Sequence, residues 1–164
     1  MICIKVLIIG IVASGKTTLA KRLSNENNIQ YYEIDSIVYD DFNKRKRSND
    51  EQQQIIKQIN KNDSWIIEGT LRKNLYNLLD DATMIIYIDI PVGIRRRRIL
   101  IRYLKQKIGL EKCNYKPTFE MLKMMYLWTR DFEDNKKIFE KQLIKYKGKL
   151  VKLDSVFKVM NYHL

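Results

Sequence analysis

The chain has 164 residues, 45% of them hydrophobic and 30% charged, values that are ordinary for one folded domain without low-complexity segments. Lysine and arginine number 31 against 19 acidic residues, so the formal net charge is +12. This surplus favours an anionic partner such as a nucleotide, a phosphorylated metabolite, nucleic acid or a membrane surface. A generally solvated basic surface is the alternative interpretation.

The two cysteines give no support for a disulfide framework or a metal site. Cys3 lies in an apolar run that we expect to be buried, and Cys113 lies far along the chain in a basic stretch. A cytoplasmic location is therefore expected. No run approaches the length of a membrane span, and Lys5 interrupts the apolar N-terminal segment, so we expect neither a membrane partner nor a signal peptide.

Apolar runs and helical periodicities alternate along the chain. The pattern predicts strands at 2–9, 31–34, 65–67, 84–90 and 149–153. It predicts helices at 15–25, 49–62, 72–81, 92–107, 118–146 and 156–162, the fifth of them in two pieces that meet near residues 129–134. Residues 40–47 are expected to be an exposed connection. The alternation predicts an α/β fold in which helices cover both faces of a parallel sheet, as a single domain over residues 1–164.

A phosphate-binding loop follows the first predicted strand. The pattern G-x-x-x-x-G-K-[ST] is matched by Gly10, Gly15, Lys16 and Thr17. Glycines let the backbone approach phosphates, and successive N–H groups at a helix N-terminus attract anions. Lys16 is expected to reach the β- and γ-phosphates, and the Thr17 hydroxyl to bind Mg²⁺. The residues expected to contact the triphosphate are Gly10, Ala13, Ser14, Gly15, Lys16, Thr17 and Thr18.

Acidic residues are predicted at the carboxyl ends of two further strands, where open α/β sheets bind their ligands. Asp35 is the favoured residue to face the phosphoryl acceptor, with a helix cap before Ser36 as the alternative. Glu68, followed by Gly69, is a candidate to hold Mg²⁺ directly or through water, and a solvated turn acid is the alternative. Asp89 is expected to be structural.

Basic side chains dominate the predicted helix 92–107. Arg95, Arg98 and Arg102 share one face at helical spacing, and this face could lead into the phosphate site. A solvated basic face is the alternative. Arg130 is a further phosphate candidate because it lies at the expected helix break, and Arg72 is a weaker candidate near Glu68. The apolar cluster at 121–128 is expected to be core.

Several segments together resemble one family of P-loop kinase relatives, the DNA topology modulation proteins, which lie near adenylate and shikimate kinases. These segments are GIVASGKTTLAKRLS, YYEID, SWIIEGT, IYIDIP followed by arginines, and GLEKCNYKPTF leading to LWTRDFE. The resemblance implies a three-layer sandwich with a five-stranded parallel sheet in the order 2-3-1-4-5. It also implies ATP and Mg²⁺ as ligands and a lid region at about 92–130.

Two functions are compatible with these features. The first is an ATP-dependent phosphotransferase in which Lys16, Asp35, Arg98 and Arg130 take part in catalysis. In this interpretation Asp35, Glu68, Gly69 and Arg72 bind a nucleotide or a small hydroxylated acceptor, and Thr17 and Glu68 hold the metal. The second is a nucleotide-binding, DNA-associated regulator without kinase turnover, suggested by the positive charge. Nucleic acid is the less favoured partner because aromatic residues do not interleave with the basic run.

Overall fold

Five apolar runs form one parallel sheet whose central strand leads into the phosphate loop. The computed structural model describes residues 3–40, 45–111 and 117–164. The sheet strands are β1 (Lys5–Gly10), β2 (Tyr31–Glu33), β5 (Trp65–Gly69), β6 (Met84–Ile88) and β7 (Leu150–Leu153). They lie in the order β2-β5-β1-β6-β7, which is 2-3-1-4-5 when these five are counted along the chain. The neighbouring strands are parallel, so the predicted fold class is confirmed.

Helices cover both faces of this sheet. They are α1 (Lys16–Asn27), α2 (Ile34–Val38), α3 (Asn49–Ile59), α4 (Asn77–Asp81), α5 (Val92–Lys107), α6 (Phe119–Leu143) and α7 (Val156–Met160). Short 3₁₀ turns occupy Lys73–Leu75 and Ile144–Lys149. Side chains of β1 alternate between two apolar layers, since Leu7 and Ile9 pack on one face while Val6 and Ile8 pack on the other.

Two expectations about local structure are wrong. α6 runs without a break from Phe119 to Leu143, so no interruption occurs near residues 129–134. Cys3 is exposed because β1 begins only at Lys5, and its thiol donates a hydrogen bond to the Asp63 carbonyl. Cys113 lies outside the described residues.

The predicted connection at 40–47 is partly ordered into strands. Residues Tyr39–Asp40 form β3 and Arg45–Lys46 form β4, and the two pair as a separate antiparallel hairpin. Two of the connection's charged side chains also fix local structure. Arg47 donates to the carbonyls of Ser36 and Tyr39, and Arg45 forms an ion pair with Glu51 in the first turn of α3. These contacts explain how the described residues of this polar segment are ordered beside α2 and α3.

The segment 121–128 is core on one side only. Leu122 and Met125 are buried and form a small cluster with Ile99 of α5, whereas Met124 and Trp128 are exposed. The expectation of a fully buried apolar cluster therefore holds for the face of α6 that packs on α5. The opposite face of the same helix is open to solvent.

Candidate active site

The phosphate loop connects β1 to α1, and its backbone turns sharply at three small residues. A Cβ atom on Gly10 would lie 2.7 Å from the carbonyl oxygen of Ile88, so only glycine fits against β6. Gly15 has φ 103° and forms the N-cap of α1. Ala13 also has a positive φ, 60°, in the region that L-residues with a side chain rarely adopt. The loop therefore adopts a strained, left-handed backbone at Ala13.

Thr17 and Glu68 meet directly at the carboxyl edge of the sheet. The Thr17 hydroxyl donates to Glu68 Oε1 at 2.6 Å, and Glu68 is buried. The parallel register explains this meeting, because Glu68 pairs with Ile8 of β1 and with Glu33 of β2. The Lys16 ammonium lies beside them and donates to the carbonyl of Ile11 at 2.9 Å.

Burial shifts the pKa values of the two charged groups in this cluster, Glu68 and Lys16. Burial raises the pKa of the Glu68 carboxyl above its ordinary value of 4.5, and the hydrogen bond from Thr17 and the charge of Lys16 oppose this shift. Loss of hydration lowers the pKa of the Lys16 ammonium below 10.5, while the charges of Glu68 and Asp35 oppose it. The two groups thus lie close enough to influence each other's charge, as phosphate and metal ligands do.

The donor atoms of this cluster fit a Mg²⁺–triphosphate complex. Mg²⁺ is held in such sites by one or two protein oxygens together with substrate phosphates and water. Thr17 and Glu68 provide two such oxygens, and no group of three or more His, Cys, Asp or Glu side chains that could hold a metal occurs among the described residues. The buried Ser14 hydroxyl in the same loop has no hydrogen-bond partner there. The site is therefore suited to a metal that arrives with its phosphates.

Asp35 and Arg72 form a second, more exposed group near the same edge. Arg72 donates to Asp35 Oδ1 at 2.9 Å, and its guanidinium lies 5.2 Å from the centre of the Tyr39 ring. The Asp35 side chain is 76% exposed and belongs to the first turn of α2, which begins at Ile34. Asp35 is therefore inside the helix rather than its cap, and a ligand can reach its carboxylate.

The strand end between these two groups leaves no room for a side chain. A Cβ atom on Gly69 would lie 2.6 Å from Ile34 Cβ, so α2 rests on the backbone of β5. The next residue, Thr70, donates its hydroxyl to the Gly10 carbonyl at 3.2 Å. Gly69 and Thr70 thereby fix the Asp35 side of the site relative to the phosphate loop.

Helices α5 and α6 contact the phosphate loop from its other side. Arg98 donates to the carbonyls of Ala13 and Ser14 at 3.3 and 3.4 Å. Val12 and Ala13 pack against the cluster of Ile99, Leu122 and Met125. Arg98 is thus the arginine of α5 that the structure brings to the loop.

The other predicted arginines are engaged elsewhere. Arg95 is 1% exposed and pairs with Glu133 of α6, and it donates to the Ile90 carbonyl. Arg102 pairs with Glu111. Arg130 is exposed and lies near Asp131, and no hydrogen bond joins it to the loop among the described residues. Of Arg95, Arg98 and Arg102, only Arg98 is therefore hydrogen-bonded to the loop among the described residues, because α6 supplies a half-buried carboxylate, Glu133, that pairs with Arg95.

Sequence reasoning missed three residues that shape this site: Thr70, Tyr39 and Glu133. Thr70 follows the Glu68-Gly69 pair directly, and a hydroxyl in a ligand loop was a usable signal. Tyr39 and Glu133 gave no sequence signal, because each contacts an arginine that is distant in sequence, Arg72 and Arg95 respectively. Asp89 is structural, as expected, since Lys136 and Lys152 pair with it at 2.7 and 2.9 Å.

Comparison with known proteins agrees with this architecture. The family model described as AAA domain matches residues 6–117. A shikimate kinase from Bacteroides thetaiotaomicron superposes with a TM-score of 0.54 at 14% identity, covering 84% of this chain and 82% of that one. A gluconokinase from Sinorhizobium meliloti 1021 gives 0.53 at 10% identity, covering 97% and 86%.

An uncharacterized protein from Eubacterium ventriosum ATCC 27560 is similar to the same degree. It gives a TM-score of 0.54 at 14% identity, covering 96% of this chain and 94% of that one. No curated protein matches the chain. At these identities the structural matches show the fold alone, and this fold is P-loop kinase-like. Within the described residues, no helix is both long and apolar enough to cross a membrane.

Proposed function

The chain belongs to the AAA domain family, and from this premise and the site geometry we propose that it is an ATP-dependent phosphotransferase for a small-molecule acceptor. The observation that carries the proposal is the contact of Thr17 with Glu68 beside Lys16, at the start of α1. Two named structural neighbours, a shikimate kinase and a gluconokinase, are themselves kinases and support the same class of reaction.

The phosphate loop is proposed to hold the triphosphate of ATP. Backbone N–H groups from Gly10 to Thr18 surround the phosphates, and Lys16 neutralises the β- and γ-phosphoryl charge. Thr17 and Glu68 would hold Mg²⁺, which when bound neutralises charge on the transferring group. Arg98 lies close enough to the loop to exchange its carbonyl partners for phosphate oxygens.

The acceptor is proposed to bind between Asp35, Gly69 and Arg72. Its hydroxyl oxygen forms the new bond to the γ-phosphorus, the bond from that phosphorus to the β–γ bridging oxygen breaks, and the hydroxyl proton passes to the Asp35 carboxylate. ADP and the phosphorylated acceptor are the products. Arg72 is free to bind an anionic group of the acceptor when it leaves Asp35, so an acceptor with both a hydroxyl and a phosphate or carboxylate fits best.

The segment at about 92–130 is proposed to act as a lid over the triphosphate. α5 and α6 already pack on Val12 and Ala13, and closure over the bound substrate would exclude water from the transfer. Arg130 has no place in this proposal, because its exposed side chain lies on the continuous part of α6.

An ATP-consumption screen over nucleoside monophosphates, nucleosides and hydroxylated carboxylates tests the proposal. We expect one acceptor class to stimulate turnover at least tenfold. Lys16→Ala should remove turnover and Asp35→Asn should remove most of the acceptor stimulation. Lys21→Ala, an exposed lysine on α1, is the matched control and should leave the rate unchanged. Wild-type turnover by a folded Lys16→Ala variant would overturn the proposal.

The second candidate is a nucleotide-binding, DNA-associated regulator without kinase turnover. The net charge of +12 and the cations of α5 motivate it. Gel shifts with duplex DNA across a series of salt concentrations test this candidate. Binding that weakens steeply with salt, in a protein inactive toward every acceptor, would favour the regulator. Absence of binding at low salt would eliminate it.

A further inference from the structure

The outward face of α5 carries a narrow apolar stripe. Its members are spaced alternately by three and four residues and comprise Ile94, Arg97, Ile101, Leu104 and Ile108. We call this set the α5 stripe. Its four apolar side chains are all exposed, Leu104 to 51% and Ile108 to 68%. The stripe extends for about 21 Å along the helix, at 1.5 Å per residue.

The opposite face of the same helix is firmly held. Arg95, Ile99 and Gln106 are buried against the rest of the molecule, and Ile99 packs with Leu122 and Met125 of α6. Because these residues fix the rotation of α5, the α5 stripe points away from the core. Exposed isoleucines and leucines aligned over three turns mark an interaction surface more strongly than isolated ones do.

The charges around the α5 stripe have one sign. α5 contains no acidic residue from Val92 to Lys107. Arg96, Arg97 and Lys105 are exposed, and none of them has an ion-pair partner among the described residues, in contrast to Arg95 and Arg102. A partner that covers the stripe must therefore supply both apolar side chains and negative charge.

We propose that the α5 stripe binds an acidic amphipathic helix of a protein partner. The alternating three- and four-residue spacing is that of a helix-to-helix seam, and at 100° per residue the stripe spans only about 80°. The exposed Leu100 beside the stripe widens the apolar arc to about 120°, but Arg97 stands within this arc and disfavours its insertion into a bilayer. Carboxylates at the edges of a partner helix would pair with Arg97 and Lys105.

The same observations disfavour a second copy of this chain. Pairing two α5 helices would bring their unpaired cations together without any acidic side chain between them. Nucleic acid would satisfy the cations but would leave Ile101 and Leu104 without apolar contacts. An acidic amphipathic helix satisfies both requirements, and the inference does not depend on the proposed phosphotransfer.

Fluorescence anisotropy with a designed peptide tests the proposal. The probe is a labelled 21-residue helix with leucine at the a and d heptad positions and glutamate at e and g, where like charges keep the peptide monomeric. We expect the protein to bind it at least tenfold more tightly than the peptide with lysine at e and g. Ile101→Gln/Leu104→Gln should weaken binding at least tenfold, while Ile138→Gln, an exposed residue of α6, should not change it.

Further measurements test whether the variant stays folded and whether a membrane or a second copy of the chain binds the α5 stripe instead. The double variant should keep the far-ultraviolet circular dichroism and the Tm of the wild type, so that any loss of binding belongs to the surface. The proposal is overturned if the glutamate peptide does not bind at low salt or binds both proteins equally. It is also overturned if the stripe instead determines binding to phosphatidylserine vesicles, or dimerisation measured by sedimentation.

Discussion

Glu68 illustrates at the residue scale how burial changes a carboxylate that is proposed to bind a metal. Its carboxyl has lost hydration, and among the described residues it has gained one hydrogen-bond donor, Thr17. The pKa is therefore raised, and the carboxyl holds its proton to a higher pH than it would in the unfolded chain. The carboxylate that would bind Mg²⁺ is therefore protonated as the pH falls through this raised pKa, and Mg²⁺ binding would weaken at low pH.

The acid limb of the rate profile should therefore depend on Mg²⁺. Because the metal and the proton compete for Glu68, we expect the low-pH fall in kcat/KM for ATP to begin above pH 4.5 and to move to lower pH as Mg²⁺ concentration rises. Rate–pH profiles at two Mg²⁺ concentrations measure the shift. If the acid limb does not move with Mg²⁺ concentration, the titrating group is not Glu68. The variant Glu68→Asp, which keeps a carboxylate, should retain the Mg²⁺ dependence.

Ala13 is a position where opposing effects of similar size cancel. Relief of its left-handed backbone in Ala13→Gly would gain about 1–2 kcal/mol. The glycine loses about 0.8 kcal/mol of methyl burial against the α5–α6 cluster and about 0.4–1 kcal/mol through the freer unfolded chain. We expect urea unfolding to show a net change below about 1 kcal/mol. A larger change in either direction would mean that one of these contributions has been misjudged.

The phosphate loop could be predicted from sequence because its chemistry lies in eight consecutive residues. The meeting of Glu68 with Thr17 followed from strand ends that share one edge of a parallel sheet. The arginines could not be assigned in this way, because their roles depend on which side chains α6 presents to α5. Glu133 captures Arg95, and nothing in the local sequence of either residue indicates the other.

At the scale of elements, the packing of α2 on β5 couples the acceptor side of the site to the sheet. Gly69→Ala would place a methyl group in contact with Ile34, and overpacking of this kind costs about 1–3 kcal/mol. We expect Ile34→Gly, which removes the opposing Cβ and the atoms beyond it, to make Gly69→Ala much less harmful. A double-mutant cycle of unfolding free energies should therefore give a coupling of at least about 1 kcal/mol.

Gly69→Ala should also affect the KM values for the proposed acceptor and for ATP differently. Since Ile34 precedes Asp35 in α2, a displaced helix alters acceptor binding, whereas the phosphate loop is attached to β1. We expect Gly69→Ala to raise KM for the acceptor at least several-fold while KM for ATP changes little. Equal effects on both constants, or additive free energies in the cycle, would refute this coupling. Leu78→Ala, a core substitution in α4, is the control for destabilisation alone.

Elements were predicted best where periodicity and end signals agreed. α3 begins where Ser48 and Glu51 form a reciprocal capping pair, and α5 follows Pro91. The break expected in α6 is wrong because the helix accommodates the polar residues of this segment. Arg130, Asp131 and Asp134 are exposed, whereas the buried Thr129 hydroxyl donates to the Met125 carbonyl within the helix. The β3–β4 pairing was missed because it depends on contacts of Arg47 with Ser36 and Tyr39 and of Arg45 with Glu51, which the local pattern does not indicate.

For the whole molecule, the excess of positive charge is a source of self-repulsion. Some cations are neutralised locally, as Lys152 is by Asp89 and Glu140. Arg96, Arg97 and Lys105 have no such partner among the described residues. Exposed ion pairs elsewhere contribute only about 0–1 kcal/mol each and also weaken with salt. We therefore expect screening of the repulsion to dominate the response of stability to ionic strength.

Thermal unfolding between 0.01 and 0.15 M NaCl tests this expectation, since the screening length falls from about 30 Å to about 8 Å over that range. We expect Tm of the wild type to rise. Arg96→Gln/Arg97→Gln/Lys105→Gln removes three of the twelve surplus charges and should give a smaller rise. Lys16→Ala should respond like the wild type, because the effect does not require an anion in the phosphate loop. A falling Tm, or an unchanged rise in the triple variant, would show that local ion pairs rather than net charge govern stability.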